Sequence, residues 1–386
     1  MDVVILVFTV FVVGNKLVLS SLFLLRKNNS LPVKVLAIIL LLPACTALSN
    51  FFMYKKLYDL VWYVQLQFVA ILAMGPLTYF YIQMMLGEKV KIDLYTLAHF
   101  IPSFAAFYLL PYHYSLPQAQ QKLFVDNFYG DQVWYVYWSN LILGFQYLTY
   151  AIVSAVKVHK TEKIILQFYS SESFVKIKFL KEFLYLNLIL SLVALPTSVI
   201  MGNEWSDLII VPVCMVIYTF YIYYQSMNTG AIFDKTQYNS YLENIAPMKI
   251  YREERYLHSR MSEKEVEDCF AEIEEYFAAQ QPWLDSELKL THVSKELQLS
   301  AHKVSEVINR KAGLNFNEFV NNYRLEYAKS LLENDLNKSM KMEHVGLDSG
   351  FNTKSNFDKI FKEKTGLTPS EYRKLHEISS KIRATG

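Results

Sequence analysis

Residues 350–373 read GFNTKSNFDKIFKEKTGLTPSEYR, and the order of small, apolar and basic side chains in this stretch decides the fold of the C-terminal third. Ser349, Gly350 and Phe351 make a turn, and the run TKSNFDKIFKEKTG behind it carries helical spacing. Phe357, Ile360 and Phe361 recur at intervals of three and four and face a core. Lys354, Ser355, Lys359 and Lys362 face outward, with Asn352, Thr353 and Asn356 at the start of the same helix. Just upstream, Met342 and Val345 anchor a short first helix, so the unit reads helix, tight turn, helix.

The same format occurs once before. A helix from about Leu290 to Leu297 is followed by a turn at Gln298 and Leu299, and the cap residue Ser300 opens a second helix, AHKVSEVINRKAG. Here Val304, Val307 and Ile308 face inward, while His302, Lys303, Ser305, Glu306, Asn309 and Arg310 face outward. A helix from Phe316 to Leu332 joins the two units; Asn315 and Glu318 stand at capping-box spacing, and Phe319, Val320, Tyr323, Ala328 and Leu331 supply a core face. An α-helix fits the major groove, where polar side chains read base edges and lysines neutralise phosphates. Two such helices must lie about one DNA turn, roughly 34 Å, apart. A linking helix of about 17 residues spans roughly 25 Å, near that separation once the flanking turns are added. A helical repeat that binds protein has a similar outline; the corresponding glycine and serine turns and the lysine-rich second helix favour DNA.

Residues 350–373, ending in Thr368, Pro369, Ser370, Glu371, Tyr372 and Arg373, are similar to the signature of AraC/XylS-type transcriptional regulators. The tandem units from about Leu288 to Lys374 resemble that family along its full DNA-binding domain. The resemblance implies a bihelical reader of double-stranded promoter DNA that works with RNA polymerase. It implies base-facing positions at His302, Ser305 and Glu306 in the first recognition helix and at Lys354, Ser355 and Lys359 in the second. It makes Arg373 a structural residue or a phosphate contact. The chain departs from the family pattern at Ser294, where a small alanine is usual, at Gln298, where a turn glycine is common, and at Gly346 in the second unit's small position. Glu306 presents an acid to the duplex, which either accepts from a cytosine amino group or repels phosphate.

Toward the amino terminus the chain changes solvent. Of 386 residues 53% are hydrophobic, more than an ordinary soluble domain carries. Seven apolar stretches succeed one another: Val3 to Leu24, Leu36 to Tyr54, Val61 to Leu86, Leu94 to Tyr112, Val133 to Val156, Leu180 to Met201 and Leu208 to Tyr224. Most reach the roughly 20 residues a helix needs to cross a hydrocarbon core. The first lacks a basic start and a small-residue cleavage site, so it is expected to be retained. Alternate loops hold Arg26, Lys27 and Lys34, then Lys89 and Lys91, then Lys157, Lys160, Lys163, Lys176 and Lys178, whereas the intervening loops offer only Lys55, Lys56 and Lys122. The positive-inside rule then puts the amino terminus outside and everything after Tyr224 in the cytoplasm. The expected location is the inner, cytoplasmic membrane of a bacterium, crossed several times.

Polar groups within these spans are the candidates for sensing. Lys16 sits about ten residues, roughly 15 Å of helix rise, from the basic end of its span, and is expected to face the bundle interior. Gln65, Gln67, Asn140 and Gln146, with His99, could line an outward-facing pocket for a small molecule or envelope signal. The same residues could serve only interhelical hydrogen bonding, and both readings stand. Pro43, Pro76, Pro102, Pro196 and Pro212 are expected to kink their helices. Glu182 is the one acid inside the marked spans. No zinc, nucleophile-elbow or phosphate-loop motif occurs, so neither an enzyme nor a cofactor is expected. Cys45, Cys214 and Cys269 lack metal-ligand or redox spacing, and no metal is expected.

Between the halves, the stretch from Asn228 to Arg260 reads as a linker. A helix then starts at Ser262, capped with Glu265. Val266, Phe270, Ile273 and Phe277 form its apolar face, and Glu263, Glu267, Asp268, Glu272, Glu274 and Glu275 make the rest acidic. That face packs either on the DNA-binding domain or on its twin in a homodimer. The expected fold is therefore all-α: a seven-helix transmembrane sensor over 1–226, a linker and amphipathic helix over 227–281, and a DNA-binding domain over 282–386. The expected function is a membrane-integral transcriptional regulator, and the alternative is a transporter with a regulatory cytoplasmic tail, which the lack of an internal repeat disfavours.

Overall fold

The structure is a computed structural model and describes residues 2–25, 29–57, 62–108, 117, 119–120, 122, 126, 134–170, 177–200, 206–228, 238–239, 242, 261–334 and 339–385. Among the described residues it is helical, without a β-sheet. The chain divides into two compact units, one of residues 1–160 and 176–242, the other of residues 161–175 and 243–386.

The first unit contains α1 (Asp2–Leu24), α2 (Leu31–Leu41), α3 (Pro43–Tyr54), α4 (Trp62–Met85), α5 (Leu94–Ala98), α6 (Ile101–Tyr108), most of α7 (Trp134–Phe168), α8 (Ile177–Ile200) and α9 (Val211–Asn228), the last preceded by a π-turn over Ser206–Ile210. Four helical stretches among the described residues are long and apolar enough to cross a membrane: Val3–Leu24, Leu31–Tyr54, Leu66–Met85 and Leu208–Asn228. α1 shows how such a helix differs from one in water. Its buried face runs Ile5, Thr9, Val12, Lys16, Leu19, Ser20 and Phe23, at helical intervals and partly polar. Its opposite face, with Val7, Phe11, Val18 and Leu22, is apolar yet exposed. Polar groups inside and apolar groups outside suit a hydrocarbon surround, and the four stretches are compatible with membrane insertion.

The expected fourth span does not form one helix. It is broken into α5 and α6, with His99 and Phe100 in the turn between them and residues 109–112 outside the description. The Asp93 carboxylate caps α5 by accepting from the Thr96 N–H at 2.8 Å. Pro102 stands at the second position of α6, where its missing N–H is tolerated as the helix restarts. Pro43 likewise opens α3 after a break at Leu42, whereas Pro76 is carried inside an uninterrupted α4. The linker from Asn228 to Arg260 lies almost wholly outside the described residues, as do Arg26, Lys27 and Lys176 and the side chains of Gln65 and Asn140.

The second unit contains the end of α7, then α10 (Glu263–Gln280), a 3₁₀ turn at Pro282–Leu284, α11 (Leu290–Glu296), α12 (Ala301–Ala312), α13 (Phe316–Glu333), α14 (Met342–Asp348), α15 (Lys354–Thr365) and α16 (Pro369–Thr385). α10 begins where its capping box dictates: Glu265 N–H donates to Ser262 Oγ at 3.3 Å, and Ser262 N–H donates to the Glu265 carboxylate at 2.7 Å. Its apolar face is consumed within the same chain. Val266, Ile273 and Phe277 are buried, and the Phe270 and Phe277 rings lie 6.2 and 5.1 Å from that of Phe319 on α13. Phe277 also stacks on Trp283. The second half of the unit closes around Leu325, Ala328, Leu332, Val345, Phe351, Phe357 and Phe361, with Ile360 and Tyr372 against them.

Candidate nucleic-acid interface

Each recognition helix is bounded by a cap at both ends. Ser300 Oγ accepts from the Lys303 N–H at 3.2 Å, and Gly313, with φ +68°, closes α12. Thr353 Oγ1 accepts from the Asn356 N–H at 3.2 Å, and Gly366, with φ +78°, closes α15. The tight turns before them differ in residue type. Gly350 makes the second with φ +83°, whereas in the first Gln298 takes the left-handed region, φ +55°, at the place where glycine is usual. The substituted small positions also resolve. Ser294 is buried with its hydroxyl donating to Thr291 O at 3.1 Å, and Gly346 leaves room for the ring of Phe357, whose Cδ1 would lie 2.9 Å from an added Cβ.

The outward residues of α15 stand where the periodicity puts them. Thr353, Lys354, Ser355, Lys359 and Lys362 are exposed, Asn352 and Asn356 are half-buried and joined by a 3.3 Å hydrogen bond, and Lys354 pairs with Asp358 at 2.5 Å. On α12 the match is less complete. Lys303, Asn309 and Arg310 are exposed and His302 and Glu306 are half-buried, but Ser305, expected to face outward, is buried. α12 is packed by α10, α11 and α13, so its buried sector widens to Val304, Ser305, Val307 and Ile308. The acidic helix also changes the charge of this face. Glu263 pairs with Arg310, Glu267 pairs with Lys311 at 2.7 Å, and Glu306 lies 3.6 Å from both His302 and Arg310. Lys311 holds the Glu267 carboxyl below its ordinary range. Exposed pairs of this kind are screened by water and weak, so a phosphate can replace the carboxylates. α12 is a compensated face and α15 a more openly cationic one.

No sequence motif marks the joint between the two helix-turn-helix units. Arg324 of α13 is buried, and its guanidinium makes five hydrogen bonds: Nε to Trp283 O at 2.8 Å, Nη1 to Ser170 O at 3.1 Å and Asn321 Oδ1 at 3.3 Å, Nη2 to Ser170 Oγ at 3.1 Å and Asp285 O at 2.8 Å. It also lies over the Phe351 ring, 5.9 Å from its centroid. Burial lowers its pKa to about 10, still a cation at neutral pH, and the carbonyl acceptors replace the water it has lost. Gly350 belongs to the same junction: a Cβ there would lie 2.1 Å from Trp283 O and 3.1 Å from Arg324 Nε. Arg373 is buried and donates to Met340 O at 2.8 Å, which gives it a structural contact.

Among the sensing candidates whose side chains are described, Lys16, Gln67, His99 and Gln146 do not converge on one pocket. Lys16 is buried and donates to Met215 O at 2.6 Å and to Thr219 Oγ1, tying α1 to α9. Gln146 donates to Leu72 O at 3.1 Å, tying α7 to α4, and Gln67 is buried. His99 was expected to face outward with them, but its Nδ1 lies 2.7 Å from Tyr150 Oη, among Tyr79, Phe80 and Tyr95. Tyr79 also carries the ammonium of Lys157 over its ring, and Lys157 pairs with Glu88 at 2.5 Å. His99 therefore belongs to the lysine-rich end of the unit. Gln67 lies twelve residues before Tyr79 on α4, about 18 Å of helix rise, too far for one pocket. Glu182 accepts from Gln225 at 2.8 Å and Tyr221 at 3.2 Å. Among the described residues no group of His, Cys, Asp and Glu has the geometry of a metal site.

Residues 293–375 match the family described as a helix-turn-helix domain. The chain is 31% identical over 91 residues to the HTH-type transcriptional regulator YijO of Escherichia coli, which covers 24% of this chain and 31% of that protein. It is 27% identical over 103 residues to the arabinose operon regulatory protein of Escherichia coli, covering 25% and 34% of the two chains. It is 29% identical over 90 residues to the regulatory protein PocR of Salmonella typhimurium, covering 23% and 29%. The chain thus spans about a third of the length of these relatives. No solved structure matches it at a significant level.

Proposed function

We propose that this chain, whose C-terminal part is an AraC/XylS-type helix-turn-helix domain, is a membrane-integral transcriptional regulator that binds promoter DNA in response to a cue received by its apolar half. The observation that carries the reading is α15, whose phenylalanine face builds a core while Lys354, Ser355, Lys359 and Lys362 stand on the exposed side of a capped helix. DNA contacts, to base edges or to phosphates, come from these residues with Asn352, Thr353 and Asn356, and from His302, Lys303, Glu306, Asn309 and Arg310 on α12. We keep the functional division at 1–226 for sensing, 227–281 for connection and 282–386 for DNA reading. The apolar half crosses the inner membrane seven times, the fourth crossing through the broken pair α5 and α6, with the amino terminus outside and the DNA reader in the cytoplasm. It receives a small-molecule or envelope signal, and the reader acts on RNA polymerase, alone or as a homodimer.

Full-length protein in lipid nanodiscs tests the DNA reading. A footprint on specific genomic fragments is expected, with affinity falling steeply as salt rises; binding that ignores sequence at every salt concentration refutes it. Single cysteines test the topology. A Lys122→Cys variant is expected to react with an impermeant maleimide in whole cells and a Lys163→Cys variant only after permeabilisation, and the reverse pattern overturns the orientation.

A further inference from the structure

The second unit includes a piece of chain that a tandem helix-turn-helix does not need. α7 is one helix from Trp134 to Phe168, 35 residues, whose last eight count with the DNA-reading unit. It is about 52 Å long at 1.5 Å per residue, whereas about 20 residues cross a hydrocarbon core. The chain beyond it docks by its backbone. Tyr169 forms an antiparallel bridge with Lys289, and the Ser170 N–H donates to Leu288 O at 3.1 Å. Asn317 donates to Tyr169 O at 3.3 Å, and Arg324 donates to both oxygens of Ser170. Phe168, Tyr169 and Ser170 are all fully buried. Each receiving group sits at a joint: Leu288 and Lys289 lead into α11, Asn317 lies in the first turn of α13, and Arg324 ties α13 to Trp283, Asp285 and the ring of Phe351.

We propose that Tyr169 and Ser170 form an intramolecular clip through which α7 sets the affinity of the DNA reader: docked, the clip holds the two recognition helices at one separation, and displaced, it lets them part. Two of the five guanidinium hydrogen bonds of Arg324 end on Ser170, so undocking leaves a buried cation short of acceptors and loosens the joint to Trp283 and Asp285. The clip rests on the reading of the chain as a DNA-binding regulator, and it shifts affinity only to the extent that DNA binds the docked state better.

The test uses the full chain in nanodiscs and a double-stranded 40-mer enriched from a randomised pool by the unaltered protein. Ser170→Pro removes the donor to Leu288 and is expected to weaken binding about fivefold or more. Antiparallel partners have Cα atoms about 4.5–5.5 Å apart, within disulfide reach. Oxidation of a Tyr169→Cys, Lys289→Cys pair in the Ser170→Pro background is therefore expected to restore affinity to within about twofold of the parent. Hydrogen exchange in α15 and α16 reports that the variant is folded. Where Ser170→Pro unfolds, Ser170→Ala with Asn317→Ala takes its place under the same criteria. A folded variant that binds within twofold of the parent, or a cross-link that restores nothing, overturns the clip while the regulator reading stands. Failure of the unaltered chain to enrich any sequence removes both.

Discussion

Replacing Gly350 by alanine puts the joint between the two helix-turn-helix units under a load that can be worked out from its neighbours. At φ +83° an L-residue costs about 1–2 kcal/mol. The new Cβ would lie 2.1 Å from Trp283 O and 2.9 Å from Leu284 Cα, both backbone atoms. A carbon–oxygen contact settles near 3.3 Å, so the Trp283 carbonyl must retreat by roughly 1 Å. That carbonyl accepts from Arg324 Nε at 2.8 Å, and losing the acceptor for a buried donor costs about 1–3 kcal/mol. The sum is about 2–5 kcal/mol. Gly366→Ala is the matched control, because φ is +78° there and nothing lies within 4 Å of the added carbon, leaving only the backbone cost. The difference of about 2 kcal/mol predicts roughly thirtyfold faster hydrogen exchange for slow amides of α13 and α15 in Gly350→Ala than in Gly366→Ala. Full-length protein in nanodiscs is the sample. Equal exchange in the two variants would refute the close-approach argument.

Gln298→Gly should stabilise the first unit by about 0.5–1 kcal/mol, because relief of the left-handed side chain exceeds the entropy glycine adds to the unfolded chain; exchange in α11 and α12 should slow, and faster exchange counts against it. Ile273→Asp puts a charge into a fully buried site and is expected to remove protection across α10, α12 and α13 together, so it reads out as unfolding of the reader; intact protection with altered promoter response would point instead to a signalling surface on α10. The carboxyls of Glu265 and Glu371 are held below their ordinary 4.5 chiefly by the backbone N–H groups of Ser262 and Thr368. Their contribution to stability is fully present above pH 4.5 and lost as pH falls through the depressed values, so a Glu265→Gln, Glu371→Gln variant should show a shallower acid unfolding limb than the parent. Lys359→Ala and Lys362→Ala should each lower the slope of log affinity against log salt by about 1 if they meet phosphates, and an unchanged slope would take them off the DNA.

Reading along the chain was sufficient wherever the cause was local. The caps at Ser262, Ser300 and Asn315, the turn at Gly350 and the face of α15 depend on residues three or four apart, and they form where the spacing puts them. It fell short where a distant partner or a helix break decided the outcome. Ser305 is buried because three helices pack on α12, and the fourth expected span breaks at His99 and Phe100, just before Pro102. His99 is claimed by the Tyr150 hydroxyl, 51 residues away, and not by Gln67. Arg324 lies in a polar stretch of α13, and nothing near it in sequence announces that it is buried.

That an apolar chain ends in two capped helix-turn-helix units with a lysine-bearing recognition face is legible in the residues alone, because periodicity, capping and turn chemistry act over one or two helical turns. Packing in three dimensions is what lays the acids of α10 on Arg310 and Lys311, and what brings Ser170, 154 residues from Arg324, to the joint between the two helix-turn-helix units. Burial is a property of what packs around a side chain, and a buried guanidinium is tolerable only where distant carbonyls converge to accept its hydrogens.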